Sequence, residues 1–164
     1  MAVYTLPHFG DVDHGAPEEF YDAQVPYAGD TLELDLNIDE AAVAPEQLDK
    51  VKRYLEDLPA LDRKARALIA EDFHGAGDTV TEYLQHHMEE LEEELDKLLE
   101  GTDPARPRDE RLMKALRWVR AGFYPNDDEI FVTLDYTLGE ELTQYLVVVN
   151  LDANGELAYM TMES

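Results

Sequence analysis

Between Ala44 and Gly101 the apolar residues recur every three or four positions, whereas on both sides of that block they alternate in twos. A period near 3.6 marks helices with one buried stripe, and a period of two marks strands with one buried face. Pro45 stands where a first helix opens, a position at which its missing N–H is harmless, and Leu48, Val51, Leu55 and Leu58 form its stripe. Pro59 separates a second helix, striped by Leu61, Ala65, Leu68, Ile69 and Phe73 and followed by Gly75. Thr79 and Glu82 have capping-box spacing and predict a third helix. Its stripe runs without a break through Val80, Tyr83, Leu84, His87, Met88, Leu91, Leu95 and Leu98 to Gly101.

Before the helical block, Phe20 to Val25 reads as a short strand closed by Pro26, with Ala28-Gly29-Asp30 as the turn. In the next strand Leu32, Leu34, Leu36 and Ile38 share one face, while Thr31, Glu33, Asp35 and Asn37 share a wet, acidic one. After the block, Asp109 to Lys114 looks helical and Leu116 to Tyr124 suits a strand, with residues 114–118 open to either reading. Ile130 to Tyr136 alternates, and Leu142 to Leu151 is apolar on both faces, as a central strand would be. Asn154-Gly155 predicts a type I′ hairpin into Leu157 to Met162. Segregated strands and helices imply a single α+β domain over residues 1–164. Its expected architecture is an antiparallel sheet of about six strands, an N-terminal hairpin plus a C-terminal meander, with three main helices packed on one face.

The charge is as segregated as the periodicity. Residues 1–49 carry 12 acids and 126–164 carry 9, and neither stretch holds a Lys or Arg. The net charge is −25. Such a field repels nucleic-acid phosphates and anionic lipid and attracts basic proteins. No apolar run approaches the ~18 residues of a membrane span. The first residues lack the basic and apolar regions of a signal peptide, so the expected location is cytoplasmic. Cysteine is absent and the one serine is Ser164, which removes disulfides, thiolate chemistry and serine nucleophile elbows. Neither a P-loop nor a G-x-G-x-x-G fingerprint occurs. No cofactor is expected, and nothing in the sequence sets an oligomeric state.

Several segments resemble a known family. They are His8-Phe9-Gly10-Asp11, the alternating strand Leu32 to Ile38, the run Leu61 to Phe73, Asp135 to Leu146, Asn154-Gly155-Glu156-Leu157 and Met162-Glu163-Ser164. Together they resemble a family of small bacterial proteins catalogued as domain of unknown function two thousand and four, over almost the whole chain. The resemblance implies a cytoplasmic α+β protein of bacterial type. It brings no activity, cofactor or catalytic residue.

Five features could carry chemistry. Glu82, His86 and Glu90 lie four apart on the third helix, a spacing that puts metal ligands on one face, although a further ligand must come from elsewhere. A solvated helix face is the commoner meaning of such a pattern. His87 sits on the apolar stripe and reads as a hydrogen-bonded boundary histidine before it reads as a base. His8, Asp11, Asp13 and His14 read as a capped loop, and Asn150-x-Asp152-x-Asn154-Gly155 as a hairpin that mimics half a calcium loop. Arg106, Arg108, Arg111, Lys114, Arg117 and Arg120 form the one basic stripe, expected to pair with Glu89, Glu93, Asp96 and Glu100.

The function these features favour is a small acidic non-catalytic module, immunity- or inhibitor-like, that binds a basic protein partner. Glu33, Asp35, Glu89 and Glu93 are its candidate contacts. A metal-assisted hydrolase or transferase using Glu82, His86 and Glu90 is the alternative, and a structural or accessory protein is a third.

Overall fold

The computed structural model describes residues 2–164. Its strands are β1 Val3–Leu6, β2 Gly10–Asp13, β3 Phe20–Tyr27, β4 Asp30–Asn37, β5 Arg117–Phe123, β6 Val132–Thr137, β7 Leu146–Leu151 and β8 Leu157–Glu163. Between β4 and β5 lie α1 Pro45–Glu56, α2 Leu58–His74, α3 Thr79–Glu90, α4 Glu92–Leu98 and α5 Arg108–Ala115. β1 and β2 form a separate hairpin, and the other six strands form one sheet in the order of the chain. The protein is thus α+β, but the sheet is mixed: β4 and β5 run parallel and every other neighbouring pair is antiparallel. The physical reason is the helical block itself. Its five helices carry the chain back to the end of the sheet from which β4 started, as any parallel connection must.

Register assigns the two faces. Leu34 opposes Ala121, Ala121 opposes Leu134, and Leu134 opposes Val149, so these side chains share one apolar face. That face meets α1 and α2. Tyr54 of α1 lies 6.3 Å from Phe123, and Asp62 of α2 accepts the Tyr136 hydroxyl at 2.7 Å. Leu32, Leu36, Leu48, Val51, Val132 and Val149 are all buried in the one core between these layers.

Several local expectations need correction. The third helix is two helices, broken at Leu91, whose φ −130° and ψ 41° leave the helical region. Glu89, Glu90, Glu92, Glu93 and Glu94 crowd this point, and like charges three or four apart destabilise a continuous helix. The break moves Glu92, Glu93 and Glu94 into the first turn of α4, where the helix dipole favours them. Nor does Thr79 cap α3. Asp72, near the end of α2, accepts the Val80 N–H at 2.9 Å instead. Gly77 leaves the room for it, since a Cβ there would come within 2.0 Å of the Asp72 carboxylate.

The His8 to His14 segment is the turn and second strand of a hairpin, anchored by buried Leu6 and Val12. Pro26 does not end β3, which continues to Tyr27 because an edge strand tolerates a missing donor. The β7–β8 turn is not type I′. Only Gly155 has positive φ, and Asp152 accepts the N–H groups of both Asn154 and Glu156. The type I′ pair is instead Ala28-Gly29, with φ 50° and 84°.

Candidate functional site

The other face of the six-stranded sheet is open and polar. Antiparallel and parallel register place Asp22, Asp35, Gly122, Thr133, Asn150 and Tyr159 in one row across it. Gln24, Glu33, Arg120, Asp135, Val148 and Thr161 form the next row. Two grooves cross this face. One of about 450 Å³ runs over β6 to β8 and is lined by Arg120, Tyr124, Asp135, Asn150, Tyr159 and Glu163 among others. The second, of about 360 Å³, is bordered by Asp30, Glu33, Arg117, Glu140 and Glu141.

Arg120 is the hub. Its Nε and Nη2 donate to the two Asp35 carboxylate oxygens at 2.7 and 2.9 Å, a bidentate pair. Nη1 reaches Asp135 only at 3.3 Å, and Nη2 also donates to the Tyr124 hydroxyl at 3.1 Å. The guanidinium can cross β5 because Gly122 has no side chain: a Cβ there would lie 2.6 Å from Nη2 and 3.0 Å from Asp35 Oδ1. Burial opposes the guanidinium's charge, yet the bonds to Asp35 and Tyr124 and the charges of Asp35 and Asp135 hold its pKa above the ordinary value.

Asp135 receives the lesser share. Burial raises its carboxyl above the usual 3.8, the nearby Asp35 and Glu163 add to the rise, and Arg120 offsets it only in part. One cation thus serves two buried carboxylates, and the shortfall falls on Asp135. The arrangement contains no nucleophile–base pair; chemically it offers a cation-seeking floor inside an acidic rim.

The sequence candidates are dispersed. Asp35, read as an outward acid, is buried at 7% exposure and committed to Arg120, with Asn37 Nδ2 also donating to it at 2.6 Å. Glu33 remains exposed on the open face, and Glu89 and Glu93 are exposed on the helical layer. Glu82 and Glu90 are exposed, while His86 is half-buried against His87 and Tyr145. Among the described residues no group of three or more His, Asp or Glu side chains is placed to hold a metal ion. His86 and Glu90 border a groove of about 400 Å³ that Glu82 does not line.

His87 is 1% exposed. It contacts the Tyr83 carbonyl through Nδ1 at 2.6 Å and the Thr143 hydroxyl through Nε2 at 2.9 Å. Burial lowers its pKa, and the neighbouring His86 lowers it further against the opposing pull of the Tyr83 carbonyl. It therefore ties α3 to the segment before β7 as a neutral ring. The basic stripe pairs mostly elsewhere than expected: Arg117 with Asp30 and Glu141, Arg106 and Lys114 with Glu110, and only Arg108 with Asp96 of α4.

Two features lie outside the sequence reading. One is Asp62, which accepts from Tyr27, Tyr136 and Arg66 at 2.7–2.9 Å and ties α2 to two strands. Only its spacing of four from Arg66 is a sequence signal. The other is the Arg120 hub, whose signal is a glycine in mid-strand two residues after an arginine. Comparison with protein-family models, with curated proteins and with solved structures finds no match to this chain.

Proposed function

We propose that this chain is a non-catalytic binding module, of the immunity or inhibitor kind, and that it docks a basic protein on the open face of its sheet. The observation that supports this reading is the under-compensated Asp135 carboxylate on the floor of the larger groove. A buried carboxylate with a raised pKa is a stability cost, and such costs gather at functional sites. A lysine or arginine from a partner would supply the missing counter-charge. Asp127 and Glu163 border this groove with exposed carboxylates, Glu33, Glu140 and Glu141 border the second groove on the same face, and the net charge of −25 would speed encounter with a basic surface. Membership of the uncharacterised bacterial family that the sequence resembles belongs to the same proposal and adds no chemistry to it.

The test is affinity capture at two ionic strengths with the natural chain and with a D135N/E33Q variant. A basic partner held at low salt, released at high salt and lost by the variant supports the reading. A partner held equally by both chains contradicts it.

A further inference from the structure

We propose that the groove over β6 to β8 receives an extended peptide segment of the basic partner, placing one lysine or arginine side chain at Asp135 and a neighbouring main-chain carbonyl at Asn150. This rests on the binding-module reading and gives it a local chemistry. The independent observation is Asn150. It lines the groove, is 3% exposed, and its Oδ1 accepts the Thr133 hydroxyl at 2.9 Å. Its Nδ2 finds no acceptor among the described residues. A buried donor without an acceptor is costly, and proteins satisfy nearly all such groups. An acceptor delivered by a ligand would complete the set, as a cation would complete Asp135.

The spacing selects a peptide over a free amine. Thr133 opposes Asn150, and Asp135 opposes Val148, so Asp135 and Asn150 are diagonal neighbours on one face. Their Cα atoms are about 7–8 Å apart. That distance suits one basic residue, with its charged end at the carboxylate and its backbone beside the amide. Val148 supplies an apolar floor between them. Tyr159, opposite Asn150 on the edge strand and 49% exposed, offers a flat surface for the aliphatic stem. Nδ2 is sealed from solvent, so a groove side chain must move to admit the carbonyl.

The test compares two probes by NMR titration of the full chain: Nα-acetyl-lysine N-methylamide, which carries both groups, and n-butylammonium, which carries the cation alone. The proposal expects both to shift resonances around Asp135, the capped lysine about three- to tenfold more tightly. It expects only the capped lysine to move the Asn150 side-chain NH₂ signals, a readout that needs no variant. N150A should bring the two affinities together. Equal affinities with the Asn150 NH₂ signals unmoved overturn the peptide inference and leave the cation site standing. If neither probe shifts the groove, the inference falls; a lysine-rich peptide binding the open face elsewhere would then preserve the broader reading, and no binding of that peptide would remove both.

Discussion

Replacing Arg120 with methionine keeps an apolar stem of similar length and removes the one cation that, among the described residues, pairs with Asp35 and Asp135. The carboxylates are 10% and 11% exposed and the Arg120 side chain 30%. Breaking a buried pair by deleting one partner costs about 3–5 kcal/mol, and the part-exposed guanidinium places this case near 3 kcal/mol, about 3 at pH 7. For a domain of this size each kcal/mol is worth about 2–4 °C, so Tm should fall by roughly 6–12 °C. Asp135→Asn should behave oppositely. It gives up a single 3.3 Å bond and removes a charge whose burial is unfavourable, leaving stability within about 1 kcal/mol of the natural chain, or above it. The sign follows from the raised pKa. The stabilising contribution of Asp135 is present when it is protonated, below 3.8, and is lost as pH rises through its higher folded value. The advantage of Asp135→Asn therefore belongs to neutral pH and shrinks on acidification. Urea melts followed by circular dichroism at pH 7 and at pH 4, on both single variants and the double, measure all of this. An Asp135→Asn variant as damaged as Arg120→Met at pH 7 would refute the unequal sharing of the guanidinium.

Gly122→Ala should displace the guanidinium, because the new Cβ would sit 2.6 Å from Arg120 Nη2; a loss of about 1–3 kcal/mol is expected in the same melts. Val149→Asp should abolish cooperative unfolding, since Val149 is fully buried in the core facing the helices. Val148→Asp, on the groove side of the same strand, should be the milder of the two, and a reversed order would contradict the assignment of faces. His87 has a lowered folded pKa, so its contribution to stability holds above about 6.5 and is lost as pH falls through the folded value. His87→Gln should remove that segment of the stability–pH curve, and an unchanged slope between pH 7 and 5 would count against a neutral buried ring.

What could be read from the sequence was whatever depends on neighbours a few residues apart. The alternation of Leu32 to Ile38 and the stripes of α1 and α2 reflect local periodicity, and the structure keeps them except at the joint, where the break falls at Asp57, and Leu58 and Pro59 open α2. The parallel β4–β5 pair was not legible, because it depends on where five helices return the chain. Alternation put Glu33 and Asp35 on the same face correctly, yet only pairing across 85 residues shows that one stays exposed and the other is buried under Arg120. The charge run at Glu89 to Glu94 contained the signal for the Leu91 break, but the apolar stripe passes straight through it. Asn150 looked like part of a mock calcium loop. Its importance comes from Thr133 on one side and Tyr159 on the other, neither of which is near it in the chain except through the sheet.

The most direct test is the footprint of a lysine-rich peptide on the ¹⁵N-labelled chain at low and high salt. The account predicts salt-sensitive shifts centred on Glu33, Arg120, Asp135, Asn150 and Tyr159, abolished at the groove by Asp135→Asn. Shifts confined to Glu89, Glu93 and the other carboxylates of α3 and α4, with the open sheet face unmoved, would contradict it.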